Sequence, residues 1–585
     1  MSILETLHEN KILRDIDLYF AKALSASFNA SGAELLLALV FAATKDGHTC
    51  LNTANLPDMP DKYLAEAAKA LSPENIAEAV SKGLICDAPA MNAPLIRQGA
   101  NIYLKSFYTD ESELARFIEK RARTAFPRTD KLTALLDEYF KDKGMQKAAA
   151  LNAALNSLTV ITGGPGTGKT STVFSLLAVL CGLSEAPLRI AVCAPTGKAA
   201  SRLTETISAK REEYKDKDFV KHIPEKAVTI HRLLGLSGGA GRPRYNSGNK
   251  LPYDIIIADE ASMVDVRLMA LLSAAIDDEC RLILLGDKDQ LASVQPGAVM
   301  GDICALAPVN AFTKERADIL APEAGKKLSV SPSPYADMTV MLDKSYRYDS
   351  AEGIGRLADA CTRGDADAAL DVLMHDGSGR VNFIEFGGDF EKTVGGFIHD
   401  HFQNCMRHEN PADALGTFAK FRILTPHRKL AGGTDHINAI ALKTLFRAGL
   451  YDNTKRFFHG MPFMITENDY SQNLFNGETG LIIGQNACLP ADKGQVRTLN
   501  PLRLPAHVHA FSMTVHKSQG SEFDYAVFVL PPSDSPILTR ELFYTAVTRA
   551  KGRLTVISAP EAVKACLSET TLRTSGLSSF NNPLL

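Results

Sequence analysis

A glycine-rich run between an apolar segment and a helical segment gives the clearest indication of chemistry in this sequence. The run reads GGPGTGKT from Gly163 to Thr170 and fits the phosphate-loop pattern G-x-x-x-x-G-K-[ST] without a mismatch. Its glycines let backbone N–H groups converge on phosphate oxygens, and the following helix N-terminus adds a favourable dipole. The pattern predicts that Lys169 reaches the terminal phosphates of a nucleotide and that the Thr170 hydroxyl binds Mg²⁺. The alternative is a chance glycine-rich turn.

An acidic pair supplies the second part of a nucleotide-hydrolysing site. Asp259 and Glu260 come directly after residues 254–258, which read as a buried strand. In phosphoryl transfer, one carboxylate holds the metal ion and another group polarises the attacking water. We expect Asp259 to take the first role and Glu260 the second. A solvated acidic turn is the alternative interpretation, and the phosphate loop argues against it.

Three further side chains are candidates for sensing and neutralising the terminal phosphate. Gln290 follows the strand candidate 281–285, at the edge where a γ-phosphate would lie. Phosphoryl transfer also requires cations against the developing negative charge, and Arg347 and Arg549 are the candidates. For an arginine chosen without other information, an ordinary surface salt bridge is the competing interpretation.

The overall composition narrows the class of protein. The 585 residues carry 64 Lys and Arg against 67 Asp and Glu, with 45% hydrophobic and 22% charged residues. These values are typical of a globular protein and exclude fibrous and wholly disordered classes. A protein that coats nucleic acid by charge alone would be more basic. Any contact with nucleic acid must therefore come from a local track of residues.

The cysteines and the apolar runs bear on location. Ten cysteines are scattered along the chain without a C-x-x-C pair, which predicts reduced, mostly buried thiols and argues against a zinc site. The N-terminus shows no leader pattern. The apolar run at 35–43 is about half of the roughly 20 residues that a membrane-spanning helix requires. We therefore expect a soluble cytoplasmic protein.

Strands alternate with helices from about residue 145, and this predicts parallel βαβ units. The strand candidates of the first half are 158–162, 188–194, 254–258 and 281–285, with a helix at 171–183. Those of the second half are 381–386, 421–425, 525–530 and 554–558. The weakly patterned stretch 310–345, with its three prolines, is expected to be a surface loop.

Two regions differ from this alternation. Residues 1 to about 110 are rich in Ala and Leu, and the segments 15–27 and 33–44 have helical spacing, which predicts a helical packing or docking module. Residues 432–508 contain short β candidates and an Asn-Gly turn at 476–477, and part of this range is predicted to be a small β-rich insertion. The β candidates are 461–466, 480–483 and 497–499.

The order of these motifs resembles that of superfamily 1 helicases, and within them the RecD family of helicase–nuclease subunits. The resemblance spans about 145–556, with a further, less specific match at 13–24 and 47–53 to the amino-terminal region of that family. The stretches that carry it are Gln146 in GMQKAAALNAAL, APTGKAA at 194–200, TIHRLLG at 229–235, DEAS at 259–262, GDKDQL at 286–291, SYR at 345–347, TVHKSQGSEF at 514–523 and FYTAVTRAK at 543–551.

The resemblance implies an α/β fold with two RecA-like P-loop NTPase domains, at 116–350 and 351–585. The second would hold a small β-rich, SH3-like insertion at about 432–508, and residues 1–115 would form a helical N-terminal partner-docking domain. It also implies an ATP- and Mg²⁺-dependent 5′→3′ DNA helicase and translocase that acts on single-stranded DNA and on double-stranded DNA ends. Such a subunit works with RecB-like and RecC-like subunits in double-strand break repair and recombination. Exodeoxyribonuclease V activity would require the partner nuclease subunit.

Residue roles follow from the same resemblance. The implied nucleotide-binding residues are Gln146, Gly163, Gly164, Pro165, Gly166, Thr167, Gly168, Lys169, Thr170, Ser171, Gly520 and Glu522. The implied catalytic residues are Lys169, Asp259, Glu260, Gln290, Arg347 and Arg549, with Thr170 and Asp259 on the metal. The implied DNA contacts are Thr196, Lys198, His231, Thr514 and His516.

Two positions leave alternatives open. The family often has a Trp beside the adenine-recognising glutamine, whereas this chain has no Trp and Gly144 and Met145 precede Gln146. The aromatic packing beside the base is therefore open. Phe511 is a candidate for stacking on a DNA base, and a core phenylalanine at the end of a strand is its alternative.

Two other functions compete with the helicase subunit. One is a free-standing superfamily 1 helicase, and the other is a nucleotide-switched scaffold whose ATPase only controls assembly. Motifs V and VI, at 514–523 and 543–551, disfavour the scaffold because they couple hydrolysis to strand movement in the family. The acidic residues around 385–392 are interpreted as a solvated turn rather than a nuclease centre. Stimulation of hydrolysis by DNA would distinguish a translocase from a scaffold.

Overall fold

The computed structural model describes residues 3–54, 67, 70–236, 242–347, 353–469, 471–491, 494–532, 535–571 and 573–577. In these ranges the strands form five sheets, of which a six-stranded and a five-stranded parallel sheet carry the main cores. Within the described ranges, no helix combines the length and the apolar character needed to cross a membrane. All ten cysteines lie in these ranges and are free thiols, eight of them buried.

The N-terminal region combines helices with a small sheet. The helices predicted at 15–27 and 33–44 are confirmed as Asp15–Phe28 and Glu34–Lys45. The four-stranded sheet, in the order β1-β4-β3-β2, was not predicted because strands of three or four residues are too short to show alternation. The elements are α1 (Ile3–Glu9), α2 (Asp15–Phe28), α3 (Glu34–Lys45), β1 (Cys50–Asn52), α4 (Pro73–Ser81), β2 (Ile85–Asp87), β3 (Leu95–Gln98) and β4 (Asn101–Leu104).

The first parallel sheet has the strand order β12-β5-β9-β8-β6-β7. Its elements in chain order are α5 (Lys105–Ala122), α6 (Asp130–Tyr139), α7 (Met145–Leu155), β5 (Leu158–Thr162), α8 (Lys169–Leu183), β6 (Ile190–Ala194), α9 (Gly197–Glu213), β7 (Val228–Thr229), α10 (Ile230–Leu233), β8 (Ile255–Ala258), α11 (Val266–Ala275), β9 (Arg281–Gly286), α12 (Val299–Ala305), β10 (Ala311–Phe312), α13 (Lys314–Ala324), β11 (Ser329–Val330) and β12 (Thr339–Met341).

Apolar side chains cover both faces of this sheet, which explains why its strands read as continuous apolar runs. Ile161 and Ile283 pack with α7 and α8 on one face. Val160 and Leu282 pack with α5 and α11 on the other. Both faces are therefore buried, and the functional side chains are left to the carboxyl ends of the strands.

The prediction of a surface loop at 310–345 is wrong. This stretch contains β10, α13, β11 and β12, and β12 pairs in parallel with β5, with Val340 opposite Ile161. Pro322 lies inside α13, and the strands have only two or three residues, so that neither element gives a recognisable pattern. The consequence is functional, because β12 leads residues 343–347 directly past the phosphate loop.

The second parallel sheet has the order β13-β22-β21-β14-β20, and a separate antiparallel sheet, β18-β17-β16-β15-β19, is inserted into it. The elements are α14 (Gly353–Arg363), α15 (Ala366–His375), β13 (Val381–Glu385), α16 (Phe390–Met406), α17 (Pro411–Ala419), β14 (Phe421–Thr425), α18 (Thr434–Arg447), β15 (Pro462–Ile465), β16 (Thr479–Ile483), β17 (Asn486–Pro490), β18 (Val496–Leu499), β19 (His507–His509), β20 (Ser512–Thr514), β21 (Phe523–Leu530), α19 (Arg540–Val547), β22 (Ala550–Ser558) and α20 (Pro560–Ser568).

The α/β class with two parallel-sheet domains and a small β-rich insertion is confirmed. The strands of the insertion run from Pro462 to His509. Helix α18 also lies in the predicted insertion range, and it packs against α16 and β20 of the second domain.

The end of the described chain returns to the N-terminal region. The Arg573 guanidinium donates to the carbonyls of Gly47 (2.9 Å) and Ser293 (2.7 Å). The buried Glu111 carboxylate accepts from the Ser575 hydroxyl (2.9 Å) and the Gly576 amide (3.1 Å). Residues 573–577 thus connect the second domain to the first domain and to the N-terminal region.

Candidate functional site

One cavity of about 670 Å³ collects the predicted catalytic side chains from both parallel-sheet domains. Its size suits a nucleotide-sized ligand. All six predicted catalytic residues line it, as do all predicted nucleotide-binding residues except Gly163 and Gly164. The lining residues are Gln146, Pro165, Gly166, Thr167, Gly168, Lys169, Thr170, Ser171, Ala199, Arg202, Leu203, Thr206, Asp259, Glu260, Asp287, Gln290, Tyr346, Arg347, Gly520, Glu522 and Arg549.

The phosphate loop connects β5 to α8, as the motif predicts. Lys169 is the first residue of α8, and its Nζ donates to the carbonyls of Gly163 (2.5 Å) and Gly164 (3.1 Å). The Thr167 hydroxyl donates to the same Gly164 carbonyl at 2.8 Å. These contacts fix the loop directly before the N-terminus of α8. A glycine-rich loop at a helix N-terminus is the arrangement that binds phosphate.

Two glycines of this loop leave no space for a side chain. Gly166 and Gly168 have φ angles of +79° and +78°, which L-residues rarely adopt. A Cβ on Gly166 would lie 2.3 Å from the Cβ of Arg347, and a Cβ on Gly168 would lie 2.5 Å from the Gln146 Nε2. The loop is therefore packed directly against two predicted ligand-binding side chains.

Gln146 lies at one end of the cavity beside an aromatic ring. Its Nε2 donates to the Thr167 carbonyl at 2.9 Å, and its Oε1 accepts from the Tyr346 hydroxyl at 3.4 Å. The Tyr346 side chain is 64% exposed. Tyr346 therefore offers the aromatic surface that the sequence, lacking Trp, left open. The SYR motif was considered in the sequence for its arginine, so that the position of the tyrosine was not predicted.

Asp259 and Glu260 follow β8 and enter the cavity together. Burial, and then the neighbouring charge of Glu260, raise the pKa of Asp259 to about 6. A divalent cation beside such a pair would favour its charged form. Thr170 lines the same cavity, so that a hydroxyl and a carboxylate are available to Mg²⁺, which typically completes its shell with water and nucleotide phosphates. Among the described side chains, no group of three or more His, Cys, Asp or Glu forms a metal site by itself.

Gln290 connects the two domains. Its Nε2 donates to Asp287 Oδ2 at 2.8 Å, and its Oε1 accepts from the Arg549 Nη2 at 2.9 Å. The Tyr544 hydroxyl, also from the second domain, donates to the same Asp287 oxygen at 3.0 Å. Arg549 is 3% exposed. The predicted phosphate sensor is thus in direct contact with a predicted catalytic arginine.

Glu522 is shared by two arginines of the first domain. Its Oε1 accepts from Arg347 Nη2 at 2.7 Å and lies 2.5 Å from Arg202 Nη2. Burial alone would raise the pKa of Glu522, but the two guanidinium groups lower it to about 2. Arg202 was not predicted from the sequence, although its spacing was a signal, because it stands four residues after Lys198 on the same face of α9.

The predicted DNA contacts are arranged differently, and of these five described side chains none lines the cavity. Thr196 is the N-cap of α9, where its hydroxyl oxygen accepts from the Ala199 amide at 3.2 Å. Thr514 ends β20 and accepts from the Lys517 amide at 3.4 Å. His231 is exposed on α10.

The other two predicted DNA contacts are partly buried. Burial, followed by repulsion from nearby cations, lowers the pKa of Lys198 to about 7. Burial also lowers the pKa of His516. Phe511, the candidate for base stacking, is fully buried and packs edge to face on Phe402 at 5.0 Å. The stacking interpretation is wrong, and the core interpretation is confirmed.

Comparisons with known proteins agree with this architecture. The RecD N-terminal domain family matches residues 9–103, an AAA domain matches 146–296, and a UvrD-like helicase C-terminal domain matches 509–557. RecBCD enzyme subunit RecD of Haemophilus influenzae is 34% identical over 99% of this chain and 99% of that protein. The chain belongs to the RecD family.

Two further relatives and one solved structure are also similar to this chain. RecBCD enzyme subunit RecD of Mycolicibacterium smegmatis is 34% identical over 99% of this chain and 98% of that protein. The ATP-dependent RecD2 DNA helicase of Deinococcus radiodurans is 31% identical over 80% of this chain and 56% of that protein. A crystal structure of Pif1 helicase from Candida albicans aligns with 74% of this chain and 94% of that one, at 16% identity and a TM-score of 0.35. This RecD-family chain is an ATP-hydrolysing helicase, as its motif order predicted.

Proposed function

We propose that this RecD-family chain uses ATP hydrolysis between its two parallel-sheet domains to move along DNA and unwind it in the 5′→3′ direction. One observation carries the proposal: all six predicted catalytic side chains line a single cavity of about 670 Å³. The phosphate loop comes from the first domain and Arg549 comes from the second. A nucleotide bound there bridges the domains, so that its hydrolysis can change their separation.

The first domain supplies most of the binding groups. Lys169 and the loop amides neutralise the phosphate oxygens, and the Gln146–Tyr346 pair holds the base. Thr170 and Asp259 hold Mg²⁺, which supplies charge neutralisation at the phosphates when bound. Glu260, adjacent to Asp259, orients the attacking water and accepts its proton.

The second domain completes the site. Arg549 reaches the cavity beside Gln290, where it joins Arg347 of the first domain, which lies against the phosphate loop at Gly166. These guanidinium groups stabilise the charge that develops on the transferred phosphoryl group. Because Gln290 contacts Arg549 directly, loss of the phosphate is transmitted to the second domain.

The surface that binds the DNA strand, called the strand surface below, is assigned to five side chains outside the cavity. We place single-stranded DNA along Thr196, Lys198 and His231 of the first domain and along Thr514 and His516 of the second. Lys198 follows the N-cap of α9, where a helix N-terminus favours phosphate. When the two domains move relative to each other, they bind the DNA strand alternately, and the strand is thereby shifted along the protein.

The N-terminal region is assigned to the binding of partner subunits. On α2, Ile16 and Tyr19 are 52% and 76% exposed, which leaves apolar surface available for a protein partner. We propose that residues 1–115 dock on a RecB-like subunit of a complex that also contains a RecC-like subunit and repairs double-strand breaks. We retain 116–350 and 351–585 as the two motor domains; the boundary after residue 115 lies within α5, whose Ala115 and Ile118 pack in the core of the first motor domain.

Hydrolysis of ATP by the purified chain, with and without single-stranded DNA, tests the proposal. We expect strong stimulation by DNA that disappears in Lys169→Gln. The surface variant Lys564→Gln should behave like the wild type, because Lys564 is exposed and pairs with the exposed Asp367. Unwinding of substrates with a 5′ or a 3′ overhang then tests the direction.

Two outcomes would contradict the proposal as stated. Hydrolysis that is indifferent to DNA would exclude an autonomous motor and favour the assembly scaffold or a subunit that works only when docked. Full unwinding by the chain alone, without any affinity for RecB-like and RecC-like subunits, would favour the free-standing helicase.

A further inference from the structure

Arg202 makes a contact between the two motor domains that none of the motif-based assignments includes. It lies on α9 of the first domain, and its guanidinium reaches the turn that precedes β21 of the second. Its Nη1 donates to the Gly520 carbonyl at 2.9 Å, and its Nη2 lies 2.5 Å from the Glu522 Oε1. One side chain therefore holds both a carbonyl and a carboxylate of the opposite domain.

Glu522 is the shared partner in this arrangement. Arg347 Nη2 donates to the same carboxylate oxygen at 2.7 Å, and Lys551 Nζ lies 3.8 Å from the other oxygen. The Glu522 side chain is 12% exposed and that of Arg202 is 40% exposed. Because the carboxylate is sheltered, these ion pairs are screened less than pairs at the surface. The half-exposed Arg202, in contrast, can be replaced without opening a core.

The turn that Arg202 holds lies against two functional elements. Gly520 has a φ of +69°, and a Cβ built on it would lie 3.9 Å from the Ala199 Cβ and 4.0 Å from the Glu260 Oε1. The turn is thus next to the helix that carries Lys198 and next to the residue assigned to orient the attacking water. Any displacement of the turn changes its distance from both.

We propose that Arg202 is a positioning residue that holds the 520–522 turn in the cleft and so couples strand contact on α9 to ATP hydrolysis. The inference rests on the proposed function. DNA phosphates gripped beside Lys198 move α9, and Arg202, one helical turn further on, transfers that movement to Glu522 and Gly520. Glu522 in turn sets the orientation of Arg347 at the phosphate loop.

The geometry requires arginine. The two acceptors are reached by separate Nη atoms of one planar guanidinium, which a single ammonium group cannot reproduce. Lysine at this position would retain the charge beside Glu522 but would not hold both acceptors in the same geometry. If Arg202 only balanced the charge of Glu522, Arg202→Lys would keep the full stimulation of hydrolysis by DNA. A partial loss in Arg202→Lys and a larger loss in Arg202→Gln therefore indicate that Arg202 positions the turn.

The test measures steady-state ATP hydrolysis by the full chain as a function of both ATP and single-stranded DNA. For Arg202→Gln we expect the stimulation by DNA, which is the ratio of the rates with and without saturating single-stranded DNA, to fall at least tenfold. Arg202→Lys should lose part of the stimulation. Arg211→Gln is the matched control, because Arg211 lies on the same helix and donates to the carbonyls of Val220 and Ile223.

A double variant tests whether Arg202 acts through Glu522. If it does, Arg202→Gln combined with Glu522→Gln will lose no more DNA stimulation than the more impaired single variant, because the two residues form one coupled unit. If the losses of DNA stimulation in the two single variants instead add up in the double variant, Arg202 does not act through Glu522. Thermal unfolding of each variant shows whether folding is retained.

The outcomes separate the inference from the proposed function. Stimulation by DNA in both the wild type and Arg202→Gln would overturn only the inference. Equal losses of the basal and stimulated rates, with a lower unfolding temperature in both Arg202 variants, would assign Arg202 a structural role and also overturn it. A wild type without stimulation would overturn the proposed autonomous motor itself.

Discussion

The cavity between the two domains and the proposed DNA-binding surface, called the strand surface here, are built in different ways. In the cleft, side chains far apart in sequence bind one another, as Gln290 does with Arg549 and Asp287 does with Tyr544. On the strand surface, Thr196 and Thr514 accept hydrogen bonds from nearby backbone amides, and His231 is exposed. The cleft therefore depends on individual side chains, whereas the strand surface depends on local backbone geometry. Single substitutions should have large effects in the cleft and small effects on the strand surface.

The largest effect is expected for Arg549→Lys, with a loss of hydrolysis of about 10²–10³-fold. Lysine cannot reach Gln290 while also holding the carbonyls of Thr545 and Ser521. Initial rates of phosphate release at saturating ATP and DNA measure the loss. Arg553→Lys is the control, because Arg553 is exposed on the following strand. Equal rates in the two variants would show that the cleft does not depend on this guanidinium.

Gly166→Ala is expected to weaken ATP binding by about 10–100-fold, since a strained backbone costs about 1–3 kcal/mol. The new Cβ would overlap the Cβ of Arg347 and would require a φ of +79°. Titration with a fluorescent ATP analogue measures the affinity. Gly396→Ala provides the control, because a Cβ at this helical glycine meets no atom within 4 Å. An unchanged affinity in Gly166→Ala would mean that the loop adapts.

A pH titration of DNA affinity should isolate Lys198 on the strand surface. Its pKa is lowered to about 7, so that the ammonium is charged below that pH and loses its charge as the pH rises. We expect the affinity for single-stranded DNA to fall by roughly tenfold between about pH 6 and pH 8.5, because one phosphate contact weakens. The charged groups that surround Lys198 are Arg422, Arg202, Arg549, Lys517 and Glu478.

Lys198→Arg is the matched variant, because arginine stays charged throughout this range. Dissociation constants at constant ionic strength should therefore be nearly independent of pH in the variant. The same pH dependence in both proteins would assign the titration to another group.

The smallest effect on DNA affinity is expected for Phe511→Leu. Phe511 is fully buried against Phe402, so that its truncation should lower the free energy of unfolding by about 1–2 kcal/mol. The affinity for single-stranded DNA should stay within about twofold of the wild-type value, because a fully buried ring cannot stack on a DNA base. Thermal unfolding and a binding titration on one sample compare the two quantities. A large loss of affinity at unchanged stability would restore the stacking interpretation.

Sequence reasoning succeeded where a short run determines its own structure. Residues 421–425 are apolar apart from Arg422 and Thr425, and they were predicted as a strand with the bounds that the structure shows, Phe421–Thr425. It failed for β12, whose three residues become a strand only because β5 lies beside them. Pairing of that kind depends on the tertiary fold and leaves no periodic signal in the sequence.

The candidate site followed the same division. Motif spacing identified the cavity-lining residues that belong to the phosphate loop, to the acidic pair and to motif VI. It did not identify Arg202, Tyr346 or Tyr544, which acquire their positions through contacts with distant residues. Local patterns report which residues can do chemistry, whereas the choice of partner for each side chain is made by the fold.

The return of the chain at Arg573 has a mechanical consequence. The second motor domain leaves the first after β12 and is fastened again where Arg573 binds the carbonyls of Gly47 and Ser293. These contacts are additional to those across the cleft, such as the one between Gln290 and Arg549. A movement of the second domain that displaces Arg573 must therefore either break its two hydrogen bonds or carry Gly47 and Ser293 with it. In the proposed motor cycle, the tail at residues 573–577 is thus a physical connection between the second domain and the N-terminal region.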